Sequence, residues 1–189
     1  MKGFTYWLNR VWDGGPQVLK SVPSELLEDA NFGRCVLLHS RYWGQSWRCS
    51  PPVEVDMLGT MFRGCLRSDR DAVFAALNVC RAKGLLLASE ELRADSDFVL
   101  LIAKTIPVHS TRGLLRSVST QLCNDREVVC QILQRQAIMY FGDDFEFVSE
   151  ELRGDREFVM QALAANPYVF KYLSSGLRGD YEVAIRAVE

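Results

Sequence analysis

Apolar residues recur along this chain at fixed distances from a set of regularly placed aspartates. Phe98, Val99, Ile102 and Ala103 stand three, four, seven and eight residues after Asp95, and Phe158, Val159, Ala162 and Leu163 follow Asp155 in the same register. That spacing gathers four side chains on one stripe of a helix, facing a core. The aspartate ahead of each stripe is a helix N-cap residue, because its carboxylate accepts from the orphan N–H groups of the first turn. Two positions beyond it an acid recurs as Asp71, Asp97, Glu127, Glu157 and Glu182, where negative charge complements the helix dipole. The pattern therefore predicts a helix starting just after each of these caps.

The pattern is a repeat. LRSDRDAVFAAL from Leu66, LRADSDFVLLIA from Leu92, LCNDREVVCQIL from Leu122 and LRGDREFVMQAL from Leu152 read almost alike, followed by LRGDYEVAIRAV from Leu177 and preceded by a degenerate LLEDANFGRCVL from Leu26. The caps are Asp29, Asp69, Asp95, Asp125, Asp155 and Asp180, separated by 40, 26, 30, 30 and 25 residues. Upstream of each cap, a leucine three residues back and an apolar residue seven back (Val22, Phe62, Ala88, Val118, Val148, Leu173) predict a second helix. Phe4, Trp7, Leu8, Val11 and Trp12 extend the first-helix pattern to the N-terminal residues without an aspartate cap. Neither half-repeat can bury its stripe alone, so neighbours must stack. The expected fold is all-α: a single-domain α-solenoid of helix-pair repeats of about 25–30 residues, its curvature left open. One array spans 1–189, with degenerate repeats over 1–65, an insert near 40–56, and regular repeats over 66–189.

With LRGDREFVMQAL and SEELR in view, the chain resembles the repeat family catalogued as domain of unknown function 4116. That family carries an S-E-E-L-R-x-D-x-E-V-V-x-x-A signature, matched best at Ser89–Ala103 and Ser149–Ala162. The resemblance covers most of Leu66–Glu189 and fades toward the N-terminus. It implies arrays of helical repeats and brings no catalytic residues to carry over.

Composition narrows the function classes. The chain is 48% hydrophobic and 24% charged, as ordinary globular domains are. Its formal charge of -2 argues against a general polyanion binder, which shows a basic excess. No apolar run approaches the ~20 residues needed to span a bilayer, and MKGFTYWLNRVWDGG does not read as a signal peptide. Six cysteines without a C-x-x-C pair suit reduced thiols and a reducing intracellular compartment.

Candidate chemistry is sparse. All four tryptophans lie in the first quarter of the chain, and Tyr42, Trp43 and Trp47 fall in the insert. Insertions in solenoids project as loops, often on a binding face, and tryptophan is enriched at interface hot spots. Trp7, Trp12, Tyr42, Trp43 and Trp47 are accordingly the expected partner-binding residues. The arginines two positions before the caps (Arg67, Arg93, Arg153, Arg178) are expected to pair with the acid four residues later. Cys35 and His39 make only half of a metal or thiolate site. Asp143, Asp144, Glu146, Glu150 and Glu151 are expected to form a solvated turn and helix edge. Cys123 and Cys130 are expected as packed apolar positions, and Gly14-Gly15-Pro16 lacks the features of a phosphate loop. The expectation is a non-catalytic protein–protein interaction or scaffold module, with no cofactor or metal, or a subunit docked in a larger assembly. The alternatives are a helical repeat that binds single-stranded nucleic acid and a secreted effector or regulatory domain of an enzyme.

Overall fold

The computed structural model describes residues 3–39, 59, 64–139 and 142–188. These residues are helical, with no strand among them. The main helices are α1 (Phe4–Gly14) and, each beginning after a predicted cap, α2 (Ala30–His39), α3 (Arg70–Cys80), α4 (Ser96–Thr105), α5 (Arg126–Ala137), α6 (Arg156–Ala165) and α7 (Tyr181–Arg186). The capping chemistry is as the spacing required. Asp69, Asp125, Asp155 and Asp180 each accept from two backbone N–H groups of the following turn, and Asp95 accepts from Phe98 N. Asp29 does the same for Asn31 N and Phe32 N. α1 starts instead at Gly3, which offers no side-chain cap.

The segment before each cap is not one helix. In the copy leading to Asp155, a 3-10 turn (Asp143–Phe147) ends at Val148, whose backbone is extended at φ -64°, ψ 144°, and a one-turn α-helix (Glu150–Gly154) follows. Val22, Ala88, Val118 and Leu173 are extended at the same register. Two forces break the helix there. The extended residue drives its apolar side chain inward, leaving Ala88 0% and Val148 2% exposed. The serine after it starts a new turn by capping it: Ser149 Oγ accepts from Leu152 N and Ser174 Oγ from Leu177 N. The expected helix pair is thus a long helix followed by a 3-10 turn and a short helix, because intervals of three and four fit either arrangement.

The chain falls into two compact units, Met1–Leu92 and Arg93–Glu189. In the first, α1 packs on α2 and α2 on α3. Its core includes Val11, Phe32, Val36, Leu37, Val73 and Leu77, each fully buried, and Phe4 meets Phe32 edge-on at 5.4 Å. In the second, α4 packs on α5, α5 on α6 and α6 on α7. The shorter segments follow suit, Leu114–Ser117 against Asp143–Phe147 and the latter against Pro167–Tyr172. Phe98, Ile102, Val129, Ile132, Phe158 and Val159 fill this core at 0–1% exposure. Burying each such side chain contributes about 1.5–3 kcal/mol, so the aspartate-registered stripes dominate the stability of both units.

Candidate functional site

The junctions between successive copies of the repeat carry the polar contacts between residues distant in the chain. Each short helix ends with carbonyls that have no partner inside the helix. At the register of the serine, the next copy supplies a donor for one of them. Ser89 N donates to Arg67 O at 2.7 Å in the first unit; in the second, Ser119 N donates to Arg93 O at 2.9 Å and Ser149 N to Cys123 O at 3.0 Å. One backbone bond therefore recurs at each of these steps.

Side chains reinforce the same seams. Arg126, the residue just after one cap, pairs with the next cap, Asp155. Arg156 repeats this with Asp180 at 2.9 Å and also pairs with Glu182; in the first unit Arg34 pairs with Asp69. The amide hydrogen bond from Phe158, with Arg126 nearby, holds the Asp155 carboxyl below its ordinary range, and Arg156 does so for Asp180. The pairing arginine therefore follows the cap, whereas Arg153, two residues before it, donates from Nε to the Val148 carbonyl at 3.0 Å. Across the same seams, Arg135 donates to the Ala103 and Ile106 carbonyls and Asn166 Nδ2 to the Leu133 carbonyl at 3.0 Å. Helix C-termini are thus capped by the following copy.

Asp144 departs from expectation. It is 2% exposed, not part of a solvated turn. Its carboxylate accepts from Gly113 N at 2.8 Å, Leu115 N at 3.1 Å and Gln136 Nε2 at 2.7 Å, locking Asp143–Phe147 onto the copy before it. Burial pushes its pKa up, against the pull of those three donors. Beside it, Asp143 pairs with Arg112, so two adjacent carboxylates share one structural task. The reason is topological: the start of the Leu114–Ser117 helix lacks a side-chain cap of its own, and Asp144 reaches it from about thirty residues away.

One junction is open. Among the described residues, Ser174 N, at the register of Ser119 and Ser149, makes no bond to the Arg153 carbonyl. A cleft of about 350 Å³ opens there, lined by Phe145, Glu150, Arg153, Gly154, Tyr172 and Ser174 along with Leu173. Elsewhere the same step stays tight, since a Cβ on Gly142 would lie 2.5 Å from the Tyr168 carbonyl oxygen. Phe145 and Leu173 form an apolar floor at 0% and 5% exposure. Glu150 and Arg153 bring opposite charges to the cleft, and Lys171 Nζ sits 4.6 Å over the Tyr172 ring. The chain's pattern offered one sign of this place, the 25-residue step from Asp155 to Asp180.

The residues expected to bind a partner are only partly in view. Trp7 and Trp12 are half-buried on α1, and the Trp7 ring meets Tyr6 edge-on at 5.3 Å. Tyr42, Trp43 and Trp47 lie outside the described residues. Cys123 is buried, its Sγ donating to the Leu115 carbonyl, and Cys130 is half-buried. Burial raises both thiols and pushes Cys80 to about 11, which disfavours the reactive thiolate. Among the described residues no three His, Cys, Asp or Glu side chains gather as a metal-binding group. No helix among them is long and apolar enough to cross a membrane.

The model of the family described as Domain of unknown function (DUF4116) matches residues 133–178 and 155–189. Over its C-terminal part, residues 133–189, the chain matches the DUF4116 family model. The matched residues contain α6, α7, Asn166 and every residue that lines the open cleft. No curated protein and no solved structure matches the chain.

Proposed function

We propose that the chain is a non-catalytic protein–protein interaction or scaffold module, an α-solenoid of short repeats that docks as a subunit in a larger assembly. The observation that carries this reading is where the polar groups are used. Asp144, Gln136 and Asn166, all buried, bond from one copy of the repeat to another. The caps and the arginines that pair with them do the same at the surface. Such a chain invests its chemistry in stacking, and stacked arrays offer partners extended surfaces. The sequential packing of α4, α5, α6 and α7 supports the solenoid. Exposed apolar side chains add contact area in the second unit: Leu101 is 49% exposed, Ile138 60% and Met139 43%.

The test is the native mass of the protein isolated gently from its source, with co-purifying chains identified. A stable stoichiometric complex is expected. Recovery only as a free monomer, at every salt concentration tried, would remove the assembly-subunit reading.

A further inference from the structure

The closed junctions show what the open one lacks. We propose that the cleft beside Arg153 and Ser174 binds an extended peptide segment of a partner, which supplies the main-chain pairing this junction does not make for itself. This deepens the reading of the chain as an interaction module and rests on it. At Ser119 and Ser149 the N–H at this register is satisfied by a carbonyl of the preceding copy, at 2.9 and 3.0 Å. At Ser174 the equivalent donor and the equivalent acceptor, the Arg153 carbonyl, belong to residues that line a cleft instead. A peptide carries both complementary groups: its carbonyl accepts from Ser174 N–H and its N–H donates to the Arg153 carbonyl. Main-chain pairing of this kind gives affinity, and the pocket beneath it gives specificity. Phe145 and Leu173 are buried beneath a rim of Glu150, Arg153, Tyr172 and Ser174, so the cleft takes a small uncharged residue. The volume, about 350 Å³, lies at the low end for ligand pockets, roughly 300–1,000 Å³, and so takes one or two residues. Glu150 and Arg153 oppose each other in charge, which disfavours a strongly charged insert.

The probe is N-acetyl-leucine N-methylamide, titrated into the full chain while backbone amide NMR shifts are followed. Saturable shifts centred on Gly154, Tyr172 and Ser174 are expected. Ser174→Pro deletes the donor and should weaken binding about tenfold, the worth of one hydrogen bond. Proline suits the site, because Ser174 has φ -59° and Pro23 occupies the same register at φ -56°. Gly154→Phe is the second variant. A Cβ there meets nothing within 4 Å, so the ring fills the cleft mouth and should abolish binding. Shifts that do not saturate, or equal affinity in the wild type and both variants, would overturn the proposal. If the probe fails while the protein is recovered in a stable complex, the cleft falls and the module reading stands. If the probe binds while the protein is always recovered alone, the assembly reading falls and the cleft remains.

Discussion

Two junctions of one unit, marked by Ser149 and Ser174, differ in the backbone bond that closes them and in the side chains around it. At the earlier, Ser149 N closes onto the Cys123 carbonyl, Ser149 Oγ meets Asn124, and Asn124 Nδ2 reaches Glu151. At the later, Arg156 still clamps Asp180 and Glu182 across the long helices, yet Ser174 and Arg153 face a cleft. The long-helix layer and the short-helix layer of a repeat can therefore close independently. The ion pairs fix the first, while the backbone bond and its neighbouring side chains fix the second. Where the second is absent, the unit gains a cleft while its long helices stay packed.

The largest expected effect removes the lock next to both junctions. Asp144→Ala strands the Gly113 and Leu115 N–H groups and takes one acceptor from Gln136. Each buried donor left without a partner costs roughly 1–3 kcal/mol, so chemical denaturation should show a loss of several kcal/mol. A loss below about 1 kcal/mol would mean that water replaces the carboxylate. Next in size is the pair Ser149→Pro and Ser174→Pro. Both lose a serine cap, but only the first breaks a junction bond. Ser149→Pro should therefore be the more destabilising by about 1–3 kcal/mol in matched urea titrations. Equal losses would erase the distinction between the junctions.

The smallest effect is that of acid. Asp155 and Asp180 have carboxyls held below the usual 3.8 by the Phe158 amide and by Arg156 respectively. A lowered pKa means that the folded state holds the charged form better than the unfolded chain does. Its contribution is present above pH 3.8 and fades as pH falls through the lower folded values. Thermal melts of the wild type should therefore decline below about pH 4. Asp155→Asn with Asp180→Asn should flatten that decline, and an unchanged acid limb in the double variant would refute the assignment.

Much of the fold was readable from the chain because its signals are local. A cap and its apolar stripe sit within nine residues, and all six aspartate caps accept the expected backbone bonds. The broken second helix was not readable, since Val118 and Val148 have the same spacing in a continuous helix as in a 3-10 turn followed by a new turn. Serine just after them was the available signal. The burial of Asp144 is hidden for a different reason: it stands among acids, and its two backbone donors lie about thirty positions back. The arginine pairs are not legible either, because Arg126 and Arg156 reach the next copy's cap, which local spacing does not show. Of the tryptophan-rich region, only Trp7 and Trp12 lie among the described residues, so its binding role stays a proposal of the sequence.

Amide hydrogen exchange tests the contrast between the junctions most directly. The account predicts slow, protected exchange at Ser119 and Ser149, whose N–H groups bond to Arg93 and Cys123, and fast exchange at Ser174. Protection of Ser174 equal to that of Ser149 would show that the last junction is closed in solution, and would contradict the account.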